Sequence, residues 1–394
     1  MGTQVIGSLT STDTNFNLAK QSARLYVEAI EANPFMKIMK QYGLVNIEEK
    51  LTQGAGETVN MYNLLRVDSQ GNTGDNDRYS NAAGGDYGHR SMSINLLSHS
   101  EKWARKKTMT QQIAPFDLKE GRGKLMALWM KQMILASIFN QAGGNTATSI
   151  TIPSVSSSAF TGASTGLPKV LGYNAAAAPT SNYKGYGSRA NISADESVTS
   201  SHPLKLSDFM DAREVITSSN AGLPQWNLIM EMGIQAVAFV STTGMNQLKN
   251  DAVTQGQGIN FAQTLYATLA GGKKFSIDQF EMENILFVEV PDFLMPRGVH
   301  STLSTAVANT RRAVIMGVNA VDIALGAGYE APNGDVYPGF AVQMDEQYKR
   351  LNKETYASVE AIWGCKKTRL FGQGSNASTA YDLATYVITH YSRT

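Results

Sequence analysis

The sequence predicts an α+β fold in which one long helix, a projecting two-stranded ribbon and a compact passage of alternating strands and helices share a chain. Three observations carry this reading. Asp117 to Asn140 opens on a capping residue and is apolar nearly all round in its second half. "ETVNMYNLL" and "RSMSINLLSH" both alternate with strand period, and a polar connection from Asp68 to His89 separates them. Beyond Ser207, segments of helical and of strand character take turns.

The bulk numbers frame these elements. With 394 residues the chain exceeds the roughly 250 to 300 at which single cores stop growing, so two packed lobes or one domain with extensions are expected. Lys and Arg number 34 against 33 Asp and Glu, a net charge of +1 that gives no global field for DNA, a membrane or an acidic substrate. Only 17% of residues are charged, while small uncharged residues abound, a composition suited to surfaces covered by neighbouring copies. The lone Cys365 leaves no internal disulfide framework and fits a reducing compartment. The first twenty residues lack the basic and apolar regions of a secretory signal, and Leu125 to Phe139 is too short and too interrupted to span a bilayer. A soluble cytoplasmic product is expected.

Taken in order, Asn17 to Gln41 carries apolar residues at helical spacing, broken by Pro34 in "NPF", and reads as an arm with a helix and a second turn. The ribbon follows, with Val59 and Met61 on one strand and Met92, Ile94 and Leu96 on the other. A ribbon that long, with a polar tip, is marginal alone and needs something to lie on. The long helix extends about 35 Å at 1.5 Å per residue. Gly121 and Gly123 weaken its first turns, each by about 1 kcal/mol relative to alanine. Residues 143–201 are rich in Ser, Thr, Ala, Gly and Asn and read as loops with short strands. A helix over 207–218, strand "QAVAFVST", a helix over 243–251 and strand "NILFVEVP" form the mixed lobe. "RRAVIMGVNAVDIALG" reads as a strand and then a helix, and "GFAVQMDEQYKR" and "KETYASVEAIWGCKKTRLFG" as two long strands.

No catalytic constellation emerges. "GASTG" at 162–166 satisfies the pattern of a nucleophile elbow around Ser164, but its flanks lack the strand leading in and the helix leading out that would strain the turn. "DND" at 75–77 has acidic spacing for calcium without the glycine or the ligand ladder. "GGKKF" at 271–275 lacks the first glycine and the magnesium-binding hydroxyl of a phosphate loop. His89, His99, His202, His300 and His390 form no i, i+4 pair. Asn191 and Asn376 head glycosylation triplets, which mean nothing in an unsecreted chain. Two basic clusters lie beside tryptophans: Lys102 to Lys107 with Trp103, and "CKKTR" at 365–369 with Trp363. Aromatics among cations can bind single-stranded nucleic acid, yet a handful of charges without a recognition fold favours structural or subunit-contact roles.

An ordered set of blocks then resembles a known family. "SARLYVEAIEANPFMKIM", "LTQGAGETVNMYNLL", "LLSHSEKWARKKTMTQQIAPFDLKEGRGKLMALWMKQ", "RRAVIMGVNAVDIALGAG" and "IWGCKKTRLFG" are similar to the tailed-bacteriophage major capsid proteins, the podovirus-like branch in particular. The resemblance implies an N-terminal arm (1–50), an extended β-hairpin loop (51–110), a peripheral domain (111–202 and 335–394) with its spine helix at about 117–140, and an axial α/β domain (203–334). It implies no enzyme and no cofactor, but a protein that self-assembles as hexamers and pentamers into an icosahedral shell around double-stranded DNA. Portal and scaffolding or decoration proteins would be partners, DNA would be contacted non-specifically, and assembly would take place in the cytoplasm of the infected bacterium. An encapsulin-like compartment is the alternative on the same fold, and a serine hydrolase through Ser164 the remote one. On this reading Arg105, Lys106 and Lys107 contact acidic groups of an adjacent subunit with Trp103 packed at the ribbon's base. Lys366, Lys367 and Arg369 are expected at a subunit contact too, and Gly121 and Gly123 where the spine helix bends. Some relatives crosslink their subunits, but no residue here matches that chemistry.

Overall fold

The computed structural model describes residues 33–48, 58–64, 87–104, 118–146, 149–153, 164–168, 174, 176–218, 236–254, 279–282, 284–326, 329–330, 336–337, 340–343, 354–371 and 380–393. The helix expected before Pro34 lies outside the described residues, and Pro34 itself begins the next one. It occupies the first turn of α1 (Pro34–Gln41), where its missing N–H costs nothing, and Asn33 caps the helix by accepting from Phe35 N at 3.1 Å. Gly43, at φ +62°, turns the chain into β1 (Val45–Glu48).

The ribbon comprises β2 (Thr58–Leu64) and β3 (Tyr87–Ser93), paired antiparallel from Thr58↔Ser93 to Leu64↔Tyr87. The sequence "RSMSINLLSH" reads as one strand, but the chain breaks at Ile94 and resumes as β4 (Asn95–Ala104), which changes partners. The reason lies in Asn174, whose carboxamide accepts from Ser93 N at 3.0 Å and donates to Ser93 O at 2.7 Å, occupying both backbone groups of the strand's last residue.

Then comes α2 (Leu118–Ala142), 25 residues long, with Gly121 and Gly123 inside its helical backbone. Every residue from Met133 to Ala142 is buried, as the all-round apolar pattern requires. Gly144, at φ +62°, ends the helix; a Cβ there would lie 2.7 Å from the Ala177 carbonyl oxygen. The small-residue region is less irregular than its composition implies. It holds a hairpin of β5 (Ser149–Pro153) and β6 (Ser164–Pro168), followed by the short strand β7 (Lys184–Tyr186).

The mixed lobe follows the expected order: α3 (Leu206–Ser218), β8 (Ala236–Ser241), α4 (Thr242–Thr254), β9 (Gln279–Met282) and β10 (Ile285–Val290). Next come β11 (Thr310–Met316) and β12 (Val321–Leu325). Here the expectation of strand then helix is corrected. Both strands are buried at every residue, so neither shows a period, and a short apolar run of this kind looks the same in a buried helix. Asn319, at φ +55°, makes the turn between them. Its amide donates to Gly43 O at 2.8 Å, and Gly317 N donates to Ala384 O at 2.8 Å, tying the link to two distant segments.

The chain closes with β13 (Tyr329–Glu330), β14 (Val336–Tyr337), β15 (Phe340–Gln343), the 14-residue β16 (Glu354–Lys367), β17 (Arg369–Phe371), β18 (Ala380–Asp382) and β19 (Thr385–Tyr391). A six-stranded sheet has the order β7-β19-β11-β8-β10-β9. It therefore draws 184–186 and 385–391 into the company of the 203–334 elements, across the boundaries the sequence implies. A five-stranded sheet runs β1-β12-β16-β15, with β4 also paired to β16. At Trp363 that long strand meets Leu325 and Asn95. One continuous hydrophobic core links α1, the buried half of α2 and both sheets. Among the described residues no helix is long and apolar enough to cross a membrane.

Candidate functional site at the base of the ribbon

The ribbon rests on the five-stranded sheet through its alternating apolar residues. Val59, Met61 and Met92 point to one face and bury against Ala324 of β12. At its root the chain crosses β16 where only glycine fits, since a Cβ on Gly364 would come within 2.4 Å of the Ser93 carbonyl oxygen.

Charged groups fix the register of this crossing. Arg90 of β3 is buried, donates from Nη2 to Asp322 Oδ1 at 2.7 Å and also sets its Nε against Oδ2. Asp322 further accepts from Thr368 Oγ1 at 3.0 Å and from Asn46 Nδ2 at 3.2 Å, so β1, β3 and the end of β16 converge on one carboxylate. Lys366 donates to the Ser91 carbonyl at 2.6 Å. Lys367 is 2% exposed and pairs with Asp382 at 2.9 Å, while Arg369 Nε stands 3.1 Å from the other oxygen of Asp382. Burial pushes the Lys367 ammonium down to about 8, against the pull of Asp382.

Lys366, Lys367 and Arg369, expected at a subunit contact, are each engaged within their own chain. Their acidic partners sit on β12 and β18, too far along the sequence for a basic run to reveal them. Trp103 lies on β4 opposite Thr355 of β16, toward the end of the strand away from Asn95 and the ribbon. Arg105, Lys106 and Lys107 fall outside the described residues, as do the 75–77 and 271–275 motifs. Ser164 opens β6 and pairs with Pro153 in a hairpin, so the strand-turn-helix context of a nucleophile elbow is absent. Cys365 is buried, and burial raises its thiol far above the usual range, Asp322 adding to the effect, which makes it a packing residue.

A second charged centre, unmarked in the sequence reading, joins α2 to the six-stranded sheet. Asp195 pairs with Arg312 of β11 and, at 2.9 Å, with Lys184 of β7, and accepts from Val299 N at 2.8 Å. Arg312 Nη1 also donates to the Gly143 and Gly144 carbonyls, at 2.7 and 2.9 Å, just past the end of α2. The available signal was "RR" at the head of an apolar run: a charge inside a buried strand requires a partner.

His390 on β19 is fully buried and donates from Nδ1 to its neighbour's carbonyl, Tyr391 O, at 3.0 Å, leaving Nε2 without a hydrogen bond. Burial pushes the imidazole down to about 4. The folded chain thus resists a proton that the unfolded chain accepts near pH 6.5. The stabilisation is full above pH 6.5 and is lost as pH falls through the window down to about 4, a total of about 3 kcal/mol. Thermal melts of the full-length protein from pH 8 to 4 are expected to show this decline, and His390→Gln to flatten it between pH 6.5 and 5.

None of these groups forms a nucleophile with an aligned base; they are joints that lock ribbon, helix and sheets together. Comparison with known proteins gives that mechanical design a context. Residues 9–394 match the family described as phage capsid protein. Among solved structures the chain is similar to the capsid of Ralstonia phage GP4, at 18% identity and TM-score 0.65, over 89% of this chain and 88% of that one. It is similar as well to the capsid of cyanophage Pam1, at 15% identity and TM-score 0.56, over 90% and 92%. No curated protein matches the sequence. The solved capsids share the fold, and the family match extends over nearly the whole sequence: this chain belongs to the phage capsid protein family.

Proposed function

We propose that many copies of this chain close an icosahedral shell of hexamers and pentamers around the double-stranded DNA of a tailed bacteriophage. The match of residues 9–394 to the capsid family carries the proposal. On this reading residues 1–50 are the arm, 51–110 the extended loop and 111–202 with 335–394 the peripheral domain. The axial domain is 203–334, to which 184–186 and 385–391 contribute strands. The extended loop also contacts a neighbouring copy, and the spine helix yields at Gly121 and Gly123 as the shell matures. Portal and scaffolding or decoration proteins complete the particle, which assembles in the cytoplasm of the infected bacterium. The near-zero net charge suits an inner wall that contacts DNA without sequence preference and releases it.

Electron microscopy of the purified product, with an assay of its nucleic acid, tests the reading. Closed shells that hold double-stranded DNA after infection are expected. Shells filled with a protein cargo instead would mark an encapsulin-like compartment, and a monomer at every concentration and with every phage protein co-expressed would overturn both.

The first basic cluster keeps its proposed role. Arg105, Lys106 and Lys107 reach acidic groups of an adjacent subunit, beside Trp103 near the end of β4 that lies away from the ribbon. Replacing the three cations by alanine is expected to lower the yield of assembled particles several-fold, and to lower it less in high salt, where exposed ion pairs are already screened. Counting particles by sedimentation checks both effects.

A further inference from the structure

Beside the Arg90–Asp322 pair the ribbon base encloses a cavity of about 90 Å³, more than a single water needs. Its polar lining is lopsided. Arg90, Lys366, Lys367 and Arg369 all border it, whereas Asp322 is the only carboxylate doing so among the described residues. Asp382 stands behind Lys367 and Arg369, so among the described residues four cations stand against two carboxylates here. Both carboxylates are engaged by cations and polar groups around the cavity. Asp322 is held by Arg90, Asn46 and Thr368, and Asp382 by Lys367, Arg369 and the Thr180 amide.

The donors are less fully used. Arg90 is 7% exposed, and its Nη1 is buried with no hydrogen-bond partner. Lys366 Nζ gives one of its three hydrogens to Ser91 O. Met61 and Met92 supply an apolar wall that keeps the surroundings weakly screening. Burial lowers the Lys366 and Lys367 ammoniums; Asp322 and Asp382 pull them back up, and the Arg369 charge pushes both down by less.

We propose that this cavity binds a small inorganic oxyanion of the phosphate or sulfate type. Bound there, the anion accepts from Arg90 on the ribbon and from Lys366 and Arg369 on the sheet side, and so pins the ribbon to the body of the subunit. The site lies within one chain, so the inference does not depend on shell formation and can be tested on unassembled protein.

The experiment is a titration of full-length protein with potassium phosphate, ionic strength held constant with chloride, followed by thermal unfolding and by calorimetry of phosphate binding. A saturable rise in Tm is expected, following ln(1 + [phosphate]/Kd), with a one-to-one calorimetric isotherm. Lys366→Gln and Arg369→Gln each remove one donor without emptying the Arg90–Asp322 pair, and each is expected to weaken phosphate binding about tenfold. Phosphate raises Tm unspecifically through exclusion from protein surfaces, but that effect does not saturate and ignores both substitutions. A rise of that kind, or no calorimetric binding, overturns the site. Should one variant fail to fold in chloride, the other decides.

Discussion

Asp195→Ala is expected to lower the unfolding free energy of the unassembled protein by about 3 to 5 kcal/mol, the range for breaking a buried ion pair by removing one partner. Asp195 is 1% exposed and faces two cations, Arg312 and Lys184. Without the carboxylate, Arg312, itself 3% exposed, keeps only the Gly143 and Gly144 carbonyls. Hydrogen bonds to neutral groups do not offset a buried charge. Removing both charges, as Asp195→Leu with Arg312→Met, is expected to cost less than Asp195→Ala alone, because no uncompensated guanidinium remains.

Acid titration gives the same centre a second signature. Burial raises the Asp195 carboxyl, but Arg312, Lys184 and the Val299 amide outweigh it and hold the group at about 2. The folded chain therefore keeps the charge where the unfolded chain, near its ordinary 3.8, takes up a proton. The resulting stabilisation of about 2 kcal/mol is full above pH 4 and is lost as pH falls toward 2. Denaturant unfolding at stepped pH values is expected to show that loss in the native protein, after the His390 decline is complete, and not in Asp195→Ala. Equal acid dependence in the two proteins would refute the assignment.

Much of the fold was legible because many elements declare themselves locally. The 25-residue α2 showed in the all-round apolarity of its second half, and the ribbon in alternation on both sides of a polar connection. β11 and β12 did not, because strands buried on both faces carry no alternation. Backbone amides flanking them donate to the carbonyls of Gly43, Leu44, Ile362 and Ala384, partners that no local window contains. The break at Ile94 was invisible for the same reason, since Asn174 imposes it from a distant loop.

The site was less legible than the fold. Basic runs read as surface because lone charges are usually solvated, and "CKKTR" has its acids at Asp322 and Asp382. What the sequence did offer was misplaced polarity. Asp322 interrupts "AVDIAL" and Arg312 interrupts "RRAVIM", and each is the hub of one joint. A charged residue inside a continuous apolar run asks for a partner, but Arg90 and Asp195, which answer Asp322 and Arg312, lie in polar stretches that carry no such mark.

Phe139→Ala is expected to cost about 3 to 5 kcal/mol, as large as the loss of Asp195 but through packing. The ring is fully buried near the end of α2 and meets two others edge-on, Phe35 of α1 at 6.2 Å and Phe239 of β8 at 5.3 Å between centroids. Truncation removes both aromatic contacts and leaves a cavity that three regular elements surround and cannot easily collapse into. Leu128, on the same helix but 48% exposed, provides the comparison: its alanine variant is expected to lose less than about 1 kcal/mol. Chemical denaturation should move the Phe139→Ala midpoint strongly with little change in slope, the mark of altered stability in a chain that still unfolds as before. The position of the ring gives the loss its functional weight. The buried half of α2 packs on β4 and β16 of one sheet and on β11 of the other, so a helix loosened at Phe139 loosens the seam between them. A subunit that must transmit load through that seam is expected to give fewer intact particles, whereas Leu128→Ala should assemble like the parent. Equal particle yields from the two variants would mean that the seam bears no load.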